Sequence, residues 1–98
     1  MEFRFKSKKL KSLYYERKGE EDYGPQVVRA FFKVMSIIDS ATDERDIRAF
    51  KSLRYEALKG DRSHQYSLRL NNQWRLIFEI RKKGNKYILI IEVSDHYQ

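Results

Sequence analysis

The stretch Tyr66-Ser-Leu-Arg-Leu70-Asn-Asn-Gln-Trp74-Arg-Leu-Ile-Phe78-Glu-Ile80 decides the fold. Tyr66, Leu68 and Leu70 alternate with Ser67 and Arg69, and Trp74, Leu76, Phe78 and Ile80 alternate with Arg75, Ile77 and Glu79. A period of two is that of a strand with one buried face. Asn71-Asn72 interrupts it with turn residues, so the two runs form a hairpin. A three-residue loop, residues 71–73, opposes Leu70 to Trp74, Arg69 to Arg75 and Leu68 to Leu76. A two-residue loop would oppose Leu68 to Arg75 and mix the faces, so the first register is expected. It sets two arginines side by side on the face away from the core and puts Trp74 into packing.

Downstream, residues 87–93 form a nearly continuous β-branched and aromatic run, which suits an interior strand. A Gly84-Asn85 turn would pair Phe78 with Ile91, Leu76 with Val93 and Arg75 with Ser94. Glu92 and His96 then flank Ser94 on the face of Arg69 and Arg75. Upstream, residues 2–6 alternate as a short strand, and residues 8–17 place Leu10, Leu13 and Tyr14 on one helical face, with Gly19 as the expected stop. Gly24-Pro25 opens the main core helix, whose stripe is Val27, Val28, Phe31, Phe32, Met35 and Ile38. Thr42 or Asp43 caps a further short turn through about Phe50. The expected class is α+β: an N-terminal strand and two helices packed on an antiparallel β-sheet, in a single domain over residues 1–98.

Composition agrees with one small domain. The chain has 98 residues, a formal net charge of +7 and no Cys, which excludes disulfides, a thiolate nucleophile and a Cys-based zinc site. At 41% hydrophobic residues it can bury a core. The longest apolar stretch, residues 87–91, is too short to cross a bilayer, and residues 1–18 lack the apolar region of a signal peptide. A cytoplasmic domain without a membrane partner is expected. Residues 1–50 carry 11 basic and 9 acidic groups, and residues 51–98 carry 10 and 5, so most of the surplus sits on the sheet half. Such a field attracts polyanions, with solubility as the plain alternative.

Opposed like charges on a sheet cost a few tenths of a kcal/mol up to about 1. The arginine pair is therefore either splayed into solvent, neutralised by Glu79 or Glu92, or an anion site, since paired guanidinium forks suit a phosphate. His96 on the same face is a candidate general acid. His64, in the loop after Gly60, is expected to be exposed and unimportant to the chemistry.

Three segments together, Glu56-Ala-Leu-Lys-Gly60, the hairpin from Tyr66 to Phe78, and Glu92-Val-Ser-Asp-His-Tyr97, resemble the RelE/ParE superfamily of bacterial toxins, most closely the HigB and YoeB type of mRNA interferase. The resemblance implies a toxin of a toxin-antitoxin pair, a ribosome-dependent endoribonuclease that cleaves mRNA in the A site by metal-independent 2′-OH transesterification. It places Glu56 at the carboxylate base, Arg75 among the catalytic residues, His96 at the acid and Tyr97 at a positioning or stacking role. Lys59 and Arg69 fall on phosphate-binding positions, and Arg62, Lys82 and Lys83 are added as RNA contacts from the basic surface. The tail reads Asp95-His96-Tyr97, the YoeB order, where HigB-type toxins usually end Asp-Tyr-His. No cofactor and no metal are implied. The partners implied are a cognate antitoxin, of a kind that often carries a helix-turn-helix module, together with the ribosome, its RNA and mRNA. Two alternatives share the fold: a non-enzymatic ParE-like inhibitor of DNA gyrase, and a degenerate homologue that only binds RNA or antitoxin.

Overall fold

A computed structural model of the chain describes residues 1–96. Strand β1 (Phe3–Phe5) leads into helices α1 (Lys8–Glu16), α2 (Pro25–Ser40) and α3 (Glu44–Arg48), followed by strands β2 (Glu56–Ala57), β3 (Tyr66–Arg69), β4 (Arg75–Lys83) and β5 (Asn85–Ser94). Short 3₁₀ turns occupy Glu20–Asp22, Lys51–Leu53 and Gly60–Arg62. The strands form one sheet in the order β1-β5-β4-β3-β2. The α+β class is as expected. Strands β2 to β5 are antiparallel, but β1 joins the edge parallel to β5, and the two-residue β2 forms the other edge. The sheet is thus mixed and one strand wider than the alternation alone implied.

Local chemistry sets the helix ends. The Ser7 hydroxyl accepts from Leu10 N at 3.1 Å and caps α1. The helix ends on Arg17, in the left-handed region at φ 57°, and not at Gly19 as expected. The Arg17 guanidinium lies 4.3 Å above the Phe32 ring and 3.5 Å from Glu20, contacts available to an arginine and not to a glycine. Gly24 precedes Pro25 at the head of α2, as the sequence implied. Helix α2 buries Val27, Val28, Phe31, Val34, Met35 and Ile38, whereas Phe32 is only half-buried and stacks on Tyr14 at 5.9 Å. Asp43 caps α3, and its bonds to Arg45 hold its carboxyl down to about 2.

The helical stripe meets one sheet face, formed by Leu68, Leu76, Phe78, Ile88 and Ile90, all fully buried. Truncating Phe31 or Phe78 to alanine would cost about 3–5 kcal/mol. The first hairpin has the expected register, with Arg69 opposite Arg75 and Leu68 opposite Leu76. The second corrects it in part. Arg75 faces Ser94 and Leu76 faces Val93, but Phe78 faces Ile90, not Ile91. Gly84 alone forms the tip (φ 76°), with Lys83 opposite Asn85, so the turn is one residue tighter than a Gly84-Asn85 pair. A bulge in β5 absorbs the difference, letting Ile88 and Ile90 face the core while Glu92 and Ser94 stay on the outer face.

Candidate active site

The outer face carries the polar residues of the sheet. Arg75 is 6% exposed and its guanidinium is held in place. Nε donates to the Ser67 hydroxyl at 2.8 Å, and Nη2 donates to the backbone carbonyl of Arg54. Arg69, directly opposite, donates from Nε to the Asn71 carbonyl at 3.3 Å and from Nη2 to the Asn72 side-chain oxygen. The 71–73 turn is fixed by the Asn71 side chain, which accepts from Gln73 N at 2.9 Å and Trp74 N at 2.7 Å. Trp74 packs against the core, as expected. A cavity of about 190 Å³ opens here, lined by Arg54, Arg69, Asn71, Asn72 and Arg75. Neither glutamate proposed as a neutraliser is bonded to Arg69: Glu92 pairs with Arg62 and Glu79 with Arg81.

Arg54 was not singled out by the sequence. It stands at φ 47°, a left-handed position rare for a non-glycine, where its carbonyl faces Arg75. The only sequence signal was a basic residue two positions before Glu56; its approach to Arg75 spans 21 residues.

Glu56 is exposed on the edge strand β2, paired with Ser67, the residue that orients Arg75. It therefore lies on the outer face, one strand from the arginine cavity. Lys59 is exposed in the loop that follows. Ser94 faces Arg75 on the other side, and its hydroxyl accepts from His96 N and donates to His96 O, both at 2.9 Å. This ties His96 to the residue opposite Arg75 while its side chain stays 94% exposed, with Nε2 3.5 Å from Asp95. Tyr97 lies outside the described residues.

Arg62, expected as an RNA contact, is bonded within the protein. Its Nε donates to Gln65 Oε1 at 2.7 Å, Nη2 to Glu92 Oε2 at 2.7 Å and Nη1 to the His96 carbonyl at 3.1 Å. It braces residues 92–96 against the loop at Gly60–Arg62. Lys82 and Lys83 are exposed beside the far hairpin tip. Eight residue steps from Arg75 to Lys83 span about 27 Å of extended strand, so they do not share the arginine cavity.

A polar cluster that the sequence did not reveal surrounds Glu79, which is 3% exposed. It accepts from Gln65 Nε2 at 2.9 Å and Arg81 Nε at 2.7 Å, and His64 Nε2 lies 3.4 Å away. His64 is exposed, as expected, but it does have a partner. Burial pushes the Glu79 carboxyl up, and the bonds from Gln65 and Arg81 with the nearby charges outweigh it, leaving the group below its ordinary range. Among the described residues no group of three or more His, Asp or Glu side chains is arranged to hold a metal ion. Nor is any described helix long and apolar enough to cross a membrane.

Residues 3–96 match the profile of the HigB-like toxins, described as RelE-like toxin of type II toxin-antitoxin system HigB. The chain belongs to this family. Toxin HigB-1 of Vibrio cholerae serotype O1 is 34% identical over 79 residues, covering 81% of this chain and 83% of that protein. Among solved structures, the YoeB/ParE toxin of Agrobacterium tumefaciens superposes with a TM-score of 0.62 at 15% identity, covering 99% of this chain and all of that one. YoeB of Staphylococcus aureus in its complex with YefM gives 0.58 at 20% identity, covering 99% of this chain and 98% of that one. These two show the same fold. The protein is thus a HigB-like toxin of a type II toxin-antitoxin system, built on the scaffold of the YoeB/ParE toxins.

Proposed function

We propose that this HigB-like toxin is an endoribonuclease that cuts mRNA in the ribosomal A site, without a metal, by attack of a 2′-OH on its own phosphodiester. One observation carries the reading: Arg54, Arg69 and Arg75 line one cavity, with Arg75 oriented by the neighbour of Glu56 on one side and facing the anchor of His96 on the other. Three cations around one small opening suit a phosphate whose charge rises in the transition state.

In this mechanism the Glu56 carboxylate removes the 2′-OH proton. The 2′ oxygen bonds to phosphorus, and the bond from phosphorus to the 5′ oxygen breaks. His96, as imidazolium, gives its proton to that leaving oxygen, so the products are a 2′,3′-cyclic phosphate and a 5′-OH. Arg69, Arg75 and Lys59 balance the added charge on the phosphorane, with Tyr97 positioning the substrate. Arg62 holds the chain end that carries His96, and Lys82 and Lys83 contribute to docking on ribosomal RNA. The solved complex of a YoeB with YefM supports an antitoxin partner for this chain as well. A ribosomal target places the reaction in the cytoplasm.

The test is induction in growing cells. Glu56→Ala, Arg75→Ala and His96→Ala should each relieve growth arrest while the proteins stay folded. Full toxicity in all three would refute the assignment.

A further inference from the structure

The arginines sort by their counter-ions. Arg4, Arg17, Arg45, Arg62 and Arg81 each lie within 4 Å of a carboxylate, on Glu2, Glu20, Asp43, Glu92 and Glu79 respectively. Arg29, Arg48, Arg54 and Arg69 have no carboxylate partner among the described residues. Three of these four border two openings that meet at Arg54. One is the arginine cavity already described. The other is a groove of about 500 Å³, lined by Arg48, Lys51, Arg54, Tyr55, Ala57 and Tyr66, with no acidic residue in its walls.

We propose that this groove is a second RNA subsite, taking the sugar-phosphate backbone next to the scissile phosphate, with Arg54 shared between the two subsites. The inference rests on the ribonuclease reading for its choice of ligand and goes beyond it in the residues assigned. The chemistry of the walls supports it. Arg48, Lys51 and Arg54 are all exposed and supply the cations. The Tyr55 and Tyr66 rings lie 5.4 Å apart, and the Arg48 guanidinium sits 4.6 Å above Tyr55. Both rings are half-buried and pack on Phe78, at 5.6 and 5.7 Å, so they form the floor of the groove while the exposed cations supply the charge that a sugar-phosphate backbone requires. The backbone fits the same role. A 3₁₀ turn at Lys51–Leu53 ends in the left-handed Arg54, whose carbonyl is held by Arg75. That bond fixes the shared arginine to the first subsite.

The test uses a short 2′-O-methyl RNA, which lacks the nucleophile and cannot be cut, with binding followed by fluorescence anisotropy across a salt series. Each phosphate contact on a single strand contributes about 0.7 to the slope of log affinity against log salt, so Arg48→Gln with Lys51→Gln should lower the slope by about 1.4. Arg54→Gln should weaken binding further, whereas Lys8→Gln with Lys11→Gln, on exposed positions of α1, should leave the slope unchanged. All sites are exposed, so circular dichroism should show the variants folded. Wild-type slopes in the groove variants, or no binding by the wild type, would overturn the proposal. So would groove variants that lose a decaglutamate peptide but keep the RNA, since the groove would then serve an acidic protein segment. Binding that behaves as stated in a protein unable to cut ribosome-bound mRNA would leave the subsite standing and remove the catalytic reading.

Discussion

The Nε of Arg75 donates to the Ser67 hydroxyl over 2.8 Å, between neighbouring strands and out of contact with bulk water. The hydroxyl, with the Arg54 carbonyl that accepts from Nη2, orients this buried guanidinium. Ser67→Ala should cost about 1.5–3 kcal/mol, the range for a bond to a charged group. Urea unfolding should show a lower midpoint at unchanged m-value, with cleavage reduced in parallel.

Arg69 should behave in the opposite sense. It faces Arg75 directly, and opposed like charges destabilise a sheet by a few tenths of a kcal/mol up to about 1. Arg69→Ala should therefore leave the unfolding midpoint unchanged or raise it, while cleavage is lost. A clear drop in stability would show that the arginine is structural.

Arg62 links Gln65, Glu92 and the His96 carbonyl. Its pair with Glu92 is partly exposed and contributes only about 0–1 kcal/mol to global stability. Its effect should be local. Arg62→Ala should lower the heteronuclear NOE of the His96 amide with little change in unfolding midpoint, and Arg62→Lys should restore it only in part, because lysine lacks the fork.

Glu79 contributes, with Asp43 and Glu44, to the acid limb of the stability profile. Its folded pKa lies below its ordinary value, so its ionised form contributes stability that is fully present above the unfolded pKa, about 4.3. That contribution is lost as pH falls through the folded value. Glu79→Gln should flatten unfolding stability over this acidic window, and an unchanged pH profile would show that other carboxylates govern it.

The first hairpin was legible because its residues alternate between the two faces, with Ile77 the one apolar residue on the outer side, and only one register keeps Arg69 and Arg75 off the core. The entry to α2 was legible for a local reason too, the Gly24-Pro25 pair. The bulge in β5 was not, because residues 87–91 are apolar on both faces and a one-residue slip hides nothing from such a pattern. Arg54 and the Arg62 brace escaped for another reason: their bonds join positions 21 to 34 residues apart, beyond any local period. Of the expected site residues, the fold gathers Arg69, Arg75, Glu56 and the His96 anchor at one end of the sheet, turns Arg62 inward and leaves Lys82 and Lys83 at the other end.

The most direct measurement is cleavage of a defined mRNA on purified ribosomes stalled with an empty A site, with both new ends identified chemically. The account predicts a cut within the A-site codon, a 2′,3′-cyclic phosphate upstream and a 5′-OH downstream, undiminished by EDTA levels that leave the ribosomes intact, and lost in Glu56→Gln. Intact mRNA with inhibited gyrase supercoiling, or ends bearing a 5′-phosphate, would contradict it.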